Sequence, residues 1–167
     1  MSLRSWFEWV DAFPSSIAIR ESLDGYPALL TSHVVTMCLF AGLIIMMDLR
    51  LVGVAYQRTP VSQIQKRLFP WQMVTMALSS ITGILLFYAQ PLRYYGKMFF
   101  WMKIVLMILA GVNAMAFHFT TYRSVVKWDG DVVLPLGARL AGAFSLALWA
   151  GVVLTGRLTA YHWLTYD

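Results

Sequence analysis

Two side chains set in apolar surroundings, His33 and Lys103, are the residues of this chain whose type and spacing promise chemistry. His33 falls within residues 28–47, ALLTSHVVTMCLFAGLIIMM, a stretch with no formal charge whose ionisable groups are His33 and Cys38. Lys103 is the one charge in residues 98–117. If both stretches are helices, each group lies five residues in, roughly 7–8 Å along the axis at 1.5 Å per residue. Stretches one and three of an antiparallel series run the same way, so the two groups are expected at one depth. An ionisable group at that depth of a bilayer is costly unless it faces other helices and has a partner. The plain expectation is that Lys103 reaches toward the headgroups while His33 bonds a backbone carbonyl or the hydroxyl of Thr36. The chemical expectation is a cofactor. Neutral imidazole is a good axial ligand for haem iron, and the interiors of helix bundles commonly hold such groups.

A haem b site would need apolar walls and cations for the propionates. Phe40, Met37, Phe99, Phe100, Met107 and Trp149 offer the walls, and Lys103, Arg93, Lys97 and Arg157 lie on the same side. His162, four residues past the last apolar stretch, is a candidate second axial ligand or quinone hydrogen-bond partner, and otherwise an interfacial polar group. His118 is too far along its helix to share that site and is expected to cap a helix C-terminus. Asp48 and Arg50 are expected at the opposite interface, paired with Lys66, Arg67 or Arg123. Asn113 is expected to tie two helices together.

Other chemistries lack their residues. No two histidines stand at i, i+4 beside a carboxylate, and no Gly-rich phosphate loop or nucleophile elbow occurs. Of eight acids, four precede residue 25, which leaves no carboxylate pair for acid–base work. The ten methionines are scattered rather than clustered as copper ligands, and read as core filler. Cys38 is alone, so it forms no intrachain disulfide.

The elements that must carry these residues are membrane spans. The composition is 59% hydrophobic and 13% charged, with a mean hydropathy of +0.65, whereas soluble domains run nearer 45–50% apolar and about 25% charged. Four spans are expected, at about 28–47, 71–88, 98–117 and 140–158, the second bounded by Pro70 and by Gln90-Pro91. Short connections make an all-α, antiparallel four-helix bundle over residues 28–167. Residues 1–27 form an interfacial segment instead. Ser5 and Glu8 fit a capping box, Trp6, Phe7 and Val10 share a face, and Pro14 limits the helix. Asp24-Gly25-Tyr26-Pro27 reads as a turn, and Glu8 and Asp11 interrupt what a cleaved signal would need. Ala41-Gly42, Ser79-Ser80, Thr82-Gly83, Gly111, Gly142 and Ser145 are expected to let helices approach. The loops after spans one and three carry seven Lys and Arg against five on the other side. The positive-inside rule then puts both termini on the periplasmic side of a bacterial inner membrane. A net charge of +5 suits anionic headgroups, and no basic-aromatic run suggests nucleic acid.

Three segments carry a resemblance: SHVVTMCLFAGLIIMMDLRLVG, FFWMKIVLMILAGVNAMAFH and ARLAGAFSLALWAGVVLTGRLTAY. Together they resemble an uncharacterised family of small bacterial four-helix membrane proteins, from Thr31 to Tyr161. More distantly the layout is similar to HemJ-type protoporphyrinogen oxidases and CopD-type membrane domains. The HemJ likeness implies that His33 and Lys103 are a functional pair and that haem b is the cofactor. The HemJ-like sequences, however, carry more arginines and a different fourth span. The expectation is therefore a b-type haem protein acting as an electron-transfer or anchor subunit, with a redox partner, a quinone or a second copy beside it. Its rivals are a porphyrinogen-oxidising enzyme and a cofactor-free subunit or small transporter.

Overall fold

The computed structural model describes residues 3–159 and 161. It is helical throughout, with no strand among the described residues. Four helices are long and apolar enough to cross a membrane: α3 (Gly25–Val52), α4 (Val61–Ala89), α6 (Met98–Phe119) and α7 (Leu136–Leu158). Shorter helices α1 (Leu3–Asp11), α2 (Pro14–Glu21) and α5 (Pro91–Tyr95) gather at one end, and a 3-10 turn spans Tyr122–Lys127. The chain is a multi-pass membrane protein, an all-α four-helix bundle.

The spans exceed the expected limits at their ends, for local reasons. Pro27 lies in the first turn of α3, where its missing N–H has no partner to lose, so the helix starts before it. The helix stops at Gly53, whose φ of +87° needs glycine, while the N–H groups of Gly53 and Val54 return to Arg50 and Leu49 carbonyls. Pro70 does not bound α4 but sits inside it. One lost backbone bond is offset by the packing of a 29-residue helix along α3. At 1.5 Å per residue α3 and α4 reach about 42–44 Å, against about 30 Å of hydrocarbon. The excess projects at the loop end, where Met47, Leu51, Val61, Ile64, Trp128, Leu134 and Ala138 form a buried cluster.

That loop end is also sewn by polar groups. The Asp129 carboxylate accepts from the Ser62 N–H at 2.7 Å and from its hydroxyl, capping the start of α4 from a distant loop. Arg50 is fully buried and donates to the Thr59 and Asp131 carbonyls at 2.8 and 3.1 Å. Asp48 is 5% exposed. Neither is paired with Lys66, Arg67 or Arg123 as expected, because both turn inward where the helices project past the hydrocarbon.

The helices close in the order α4, α3, α7, α6, each packed along its neighbour, whereas α4 and α6 share no extended seam. Gly142 sets the α3–α7 approach: a Cβ there would lie 2.8 Å from Leu51 Cβ and 3.1 Å from the Asp48 carbonyl. Asn113 donates to the Ala141 carbonyl at 3.0 Å, tying α6 to α7 as expected. Gly42 and Gly111, by contrast, face open space.

The N-terminal segment is two helices rather than one, since Pro14 starts the second. Ser5 lies inside α1, not at its cap, and Glu8 instead accepts from Arg4 at 3.2 Å. These helices fold over the bundle end. Phe7 is buried against Phe87 and Tyr95, with centroids 5.7 and 4.8 Å apart. Ser16, fully buried, donates to the Tyr88 carbonyl at 2.9 Å, satisfying an end carbonyl of α4. Trp6 and Trp9 remain exposed.

Candidate functional site

His33 projects from α3 toward α4 one helical third below this capped end. Its Nδ1 lies 3.0 Å from the Ser79 carbonyl and 3.1 Å from the Thr82 hydroxyl. A carbonyl only accepts, so Nδ1 carries the proton. The Thr82 hydroxyl donates to the Leu78 carbonyl at 2.8 Å, which leaves its oxygen to share the imidazole proton. Nε2 therefore keeps its lone pair, and makes no hydrogen bond within the described residues. Gly83 gives the ring its place, for a Cβ there would stand 3.0 Å from His33 Cε1. The expected backbone-carbonyl bond forms, to Ser79; the alternative partner Thr36 is not used, because that hydroxyl turns back to Ser32 and His33 carbonyls of its own helix.

Lys103 enters the same interior from α6. Its side chain lies along Gly156 of α7, with Nζ 3.8 Å from where a Cβ would be. Its hydrogen-bond partner among the described residues is the Met37 sulfur at 3.7 Å, a weak acceptor. Met37 stands one turn after His33 on α3, and the ammonium is close enough to act electrostatically on the imidazole. The structure thus brings His33 and Lys103 together, from opposite sides of the bundle. Above them Phe87 stacks on Phe100 at 5.4 Å and 8°, with Tyr94 against both. Below, Phe40 meets Trp149 edge-on at 5.0 Å. The pair thus lies between two aromatic contacts along the bundle, and the flank between α4 and α6 has no extended seam.

The remaining candidates do not join it. Arg93 is exposed and donates to the Gln90 side chain at 2.8 Å. Arg157 is exposed and sits over the Tyr161 ring at 5.7 Å. Lys97 is buried and donates to the Thr159 carbonyl at 2.6 Å, closing the end of α7. Burial pushes this lysine below its ordinary range, and Arg93 adds to the effect. His162 lies outside the described residues. His118 is exposed at the end of α6, stacked on Tyr122 at 5.3 Å. No group of three or more His, Cys, Asp or Glu able to hold a metal occurs among the described residues. A separate groove of about 400 Å³ lies at the loop end, lined by Asn113, Phe117, Thr121, Leu140 and Phe144 among others.

Ser79, Thr82 and Gly83 belong to the site, although their residue types alone suggest only close packing. The signal was their spacing: i, i+3 and i+4 place a carbonyl, a hydroxyl and a gap on one face of α4. Alternating direction along the chain brings that face opposite a histidine.

No curated protein and no solved structure matches the chain. Residues 6–162, which include both site residues and the elements that hold them, match the model of DUF6644, a family of unknown function, and the chain belongs to that family.

Proposed function

We propose that the chain is a membrane b-type haem protein in which His33 is the axial ligand, serving as an electron-transfer or anchor subunit of a redox system. The observation that supports this reading is the division of roles at the imidazole. Nδ1–H is held by the Ser79 carbonyl while the Nε2 lone pair has no hydrogen bond within the described residues, next to an ammonium whose partner among them is a thioether. A carbonyl on the far nitrogen is how proteins orient imidazoles for metal ligation. The donor set fits the group: His33 for the iron, Lys103 for a propionate, and aromatic walls from α4 and α6. Holding a propionate would take Lys103 from the Met37 sulfur, its partner among the described residues. When bound, haem supplies a one-electron couple whose potential follows ligand and burial. The chain orients the imidazole through Ser79, balances charge through Lys103, and excludes water through the Phe87–Phe100 contact. A bilayer quinone reaches the pair through the flank between α4 and α6. On the positive-inside count the site faces the periplasm of a bacterial inner membrane, with a periplasmic or membrane redox partner or a second copy beside it.

The test is the absorption spectrum of protein purified from haem-replete cells, reduced and oxidised. A Soret band lost in His33→Ala supports the reading, and a colourless preparation refutes it. A second reading rests on Lys103 alone: an ammonium without an oxygen partner among the described residues suits the carboxylates of a porphyrinogen, which would make the protein a HemJ-like oxidase. Rescue of a protoporphyrinogen-oxidase deletion, lost in Lys103→Met, selects that enzyme.

A further inference from the structure

We infer that Asp48, at the end of the bundle opposite His33, is a proton-binding site: it stands between α3 and α7 as the carboxylic acid. The inference is independent of the haem reading, because about 22 Å of α3 and the Phe40–Trp149 contact separate the two groups.

Asp48 is 5% exposed. The Ser145 hydroxyl is its side-chain partner, and the oxygen Oδ2 has none among the described residues. What packs against it bears no charge. From α7 come Gly142, whose missing Cβ lets the backbones approach, and Ser145. The buried polar groups of α4 along α3 are Gln72, which donates to the Leu43 carbonyl at 3.3 Å, and Thr75. No cation among the described residues pairs with Asp48, although Arg50 keeps one buried nitrogen, Nη1, without a partner there. Arg50, two residues on, holds the Thr59 and Asp131 carbonyls and senses Asp129. Lys66, Arg67 and Arg139 are exposed. The two ion pairs among the described residues, Arg4–Glu8 and Arg20–Asp11, lie at the other end.

A carboxylate in that position would be a buried charge without a counterion, which proteins avoid by neutralising the group. Oδ2 has no exposed surface at which a water or metal ion could sit, so the ligand that fits is a proton. Binding it keeps the α3–α7 seam neutral, and releasing it places an uncompensated charge beside Ser145. Asp48 is thereby a point at which proton uptake from the loop end acts on helix packing.

The experiment is infrared spectroscopy of the full chain in liposomes, as purified. A protonated-carboxyl C=O band is expected, downshifted in D₂O, absent in Asp48→Asn and upshifted in Ser145→Ala, which removes the hydrogen bond. A matching chemical readout is dicyclohexylcarbodiimide, which adds to a carboxylic acid to give an N-acylurea with all atoms retained. Its adduct is expected at Asp48, with exposed Asp131 spared. A wild-type spectrum without that band overturns the inference, whether or not Asp48→Asn folds. A band that persists unchanged in a folded Asp48→Asn also overturns it.

Discussion

Replacing Gly83 with alanine probes the site through a single methyl group. A Cβ at that position stands 3.0 Å from His33 Cε1, several tenths of an ångström inside ordinary contact. The ring has little freedom to retreat, because its Nδ1–H is shared between Ser79 and Thr82 on the same helix. Overpacking a fitted position typically costs about 1–3 kcal/mol. Against this, alanine is favoured over glycine inside a helix by about 0.8–1.0 kcal/mol. Gly111 supplies the control: it lies within α6, and a Cβ there meets nothing within 4 Å. Gly111→Ala should therefore stabilise by about 1 kcal/mol, and Gly83→Ala should fall below it by about 1–3 kcal/mol. Adding His33→Ala to Gly83→Ala removes the clash and should recover most of that gap, so the coupling of the two changes isolates the ring. Reversible unfolding in mixed micelles, followed by tryptophan fluorescence and circular dichroism, measures these three variants and His33→Ala alone. Equal stabilisation by the two glycine changes would show that the imidazole does not rest on Gly83, and the geometry of the site would fail with it.

Arg50→Ala should cost about 3 kcal/mol or more, since it strips charged, part-buried hydrogen bonds from two loop carbonyls and empties a buried site; thermal unfolding checks it, and a loss under about 1 kcal/mol would contradict the stitching role. Tyr94 is held well above the usual tyrosine range, first by burial and then by the Tyr26 hydroxyl. Above the ordinary tyrosine value the unfolded chain then binds fewer protons than the folded one, so stability falls as pH rises. Tyr94→Phe should flatten that alkaline loss in unfolding curves, and tyrosinate absorbance should show one hydroxyl that ionises only on unfolding. Val132 is 64% exposed in the α6–α7 connection. In a Cys38→Ser background, Val132→Cys should react with a membrane-impermeant maleimide only after the inner membrane is opened; labelling of intact spheroplasts would reverse the proposed orientation.

His33 and Lys103 were legible as a pair because each is an isolated ionisable group at equal depth in an uncharged stretch, and desolvation makes such placements rare. Their surroundings were not. A backbone carbonyl or Thr36 was the expected partner; the carbonyl is used, but it belongs to Ser79 on α4, because the Thr36 hydroxyl is satisfied by its own backbone and the imidazole crosses to the neighbouring helix. Arg93, Lys97 and Arg157 were assigned to the site by side of the membrane alone. The structure disperses them to Gln90, the end of α7 and Tyr161, because side of membrane says nothing about azimuth around a helix.

What the sequence by itself determined is the architecture: four apolar stretches of bilayer length, joined by short connections, admit little but an antiparallel helical bundle. Even Pro70, taken as a boundary, changed a helix limit and not the number of spans. Contacts across the bundle set which helices touch, so that α3 lies between α4 and α7 while α4 and α6 meet at Phe87 and Phe100 without an extended seam. Only the tertiary structure turned Asp48 and Arg50 inward and folded Phe7 and Ser16 over the bundle end. The physical reason is that hydropathy selects burial in lipid or protein without distinguishing them. Rotation and neighbour choice follow from a few close approaches, such as Gly142 on Leu51 and Gly83 on His33, whose partners lie far away along the chain.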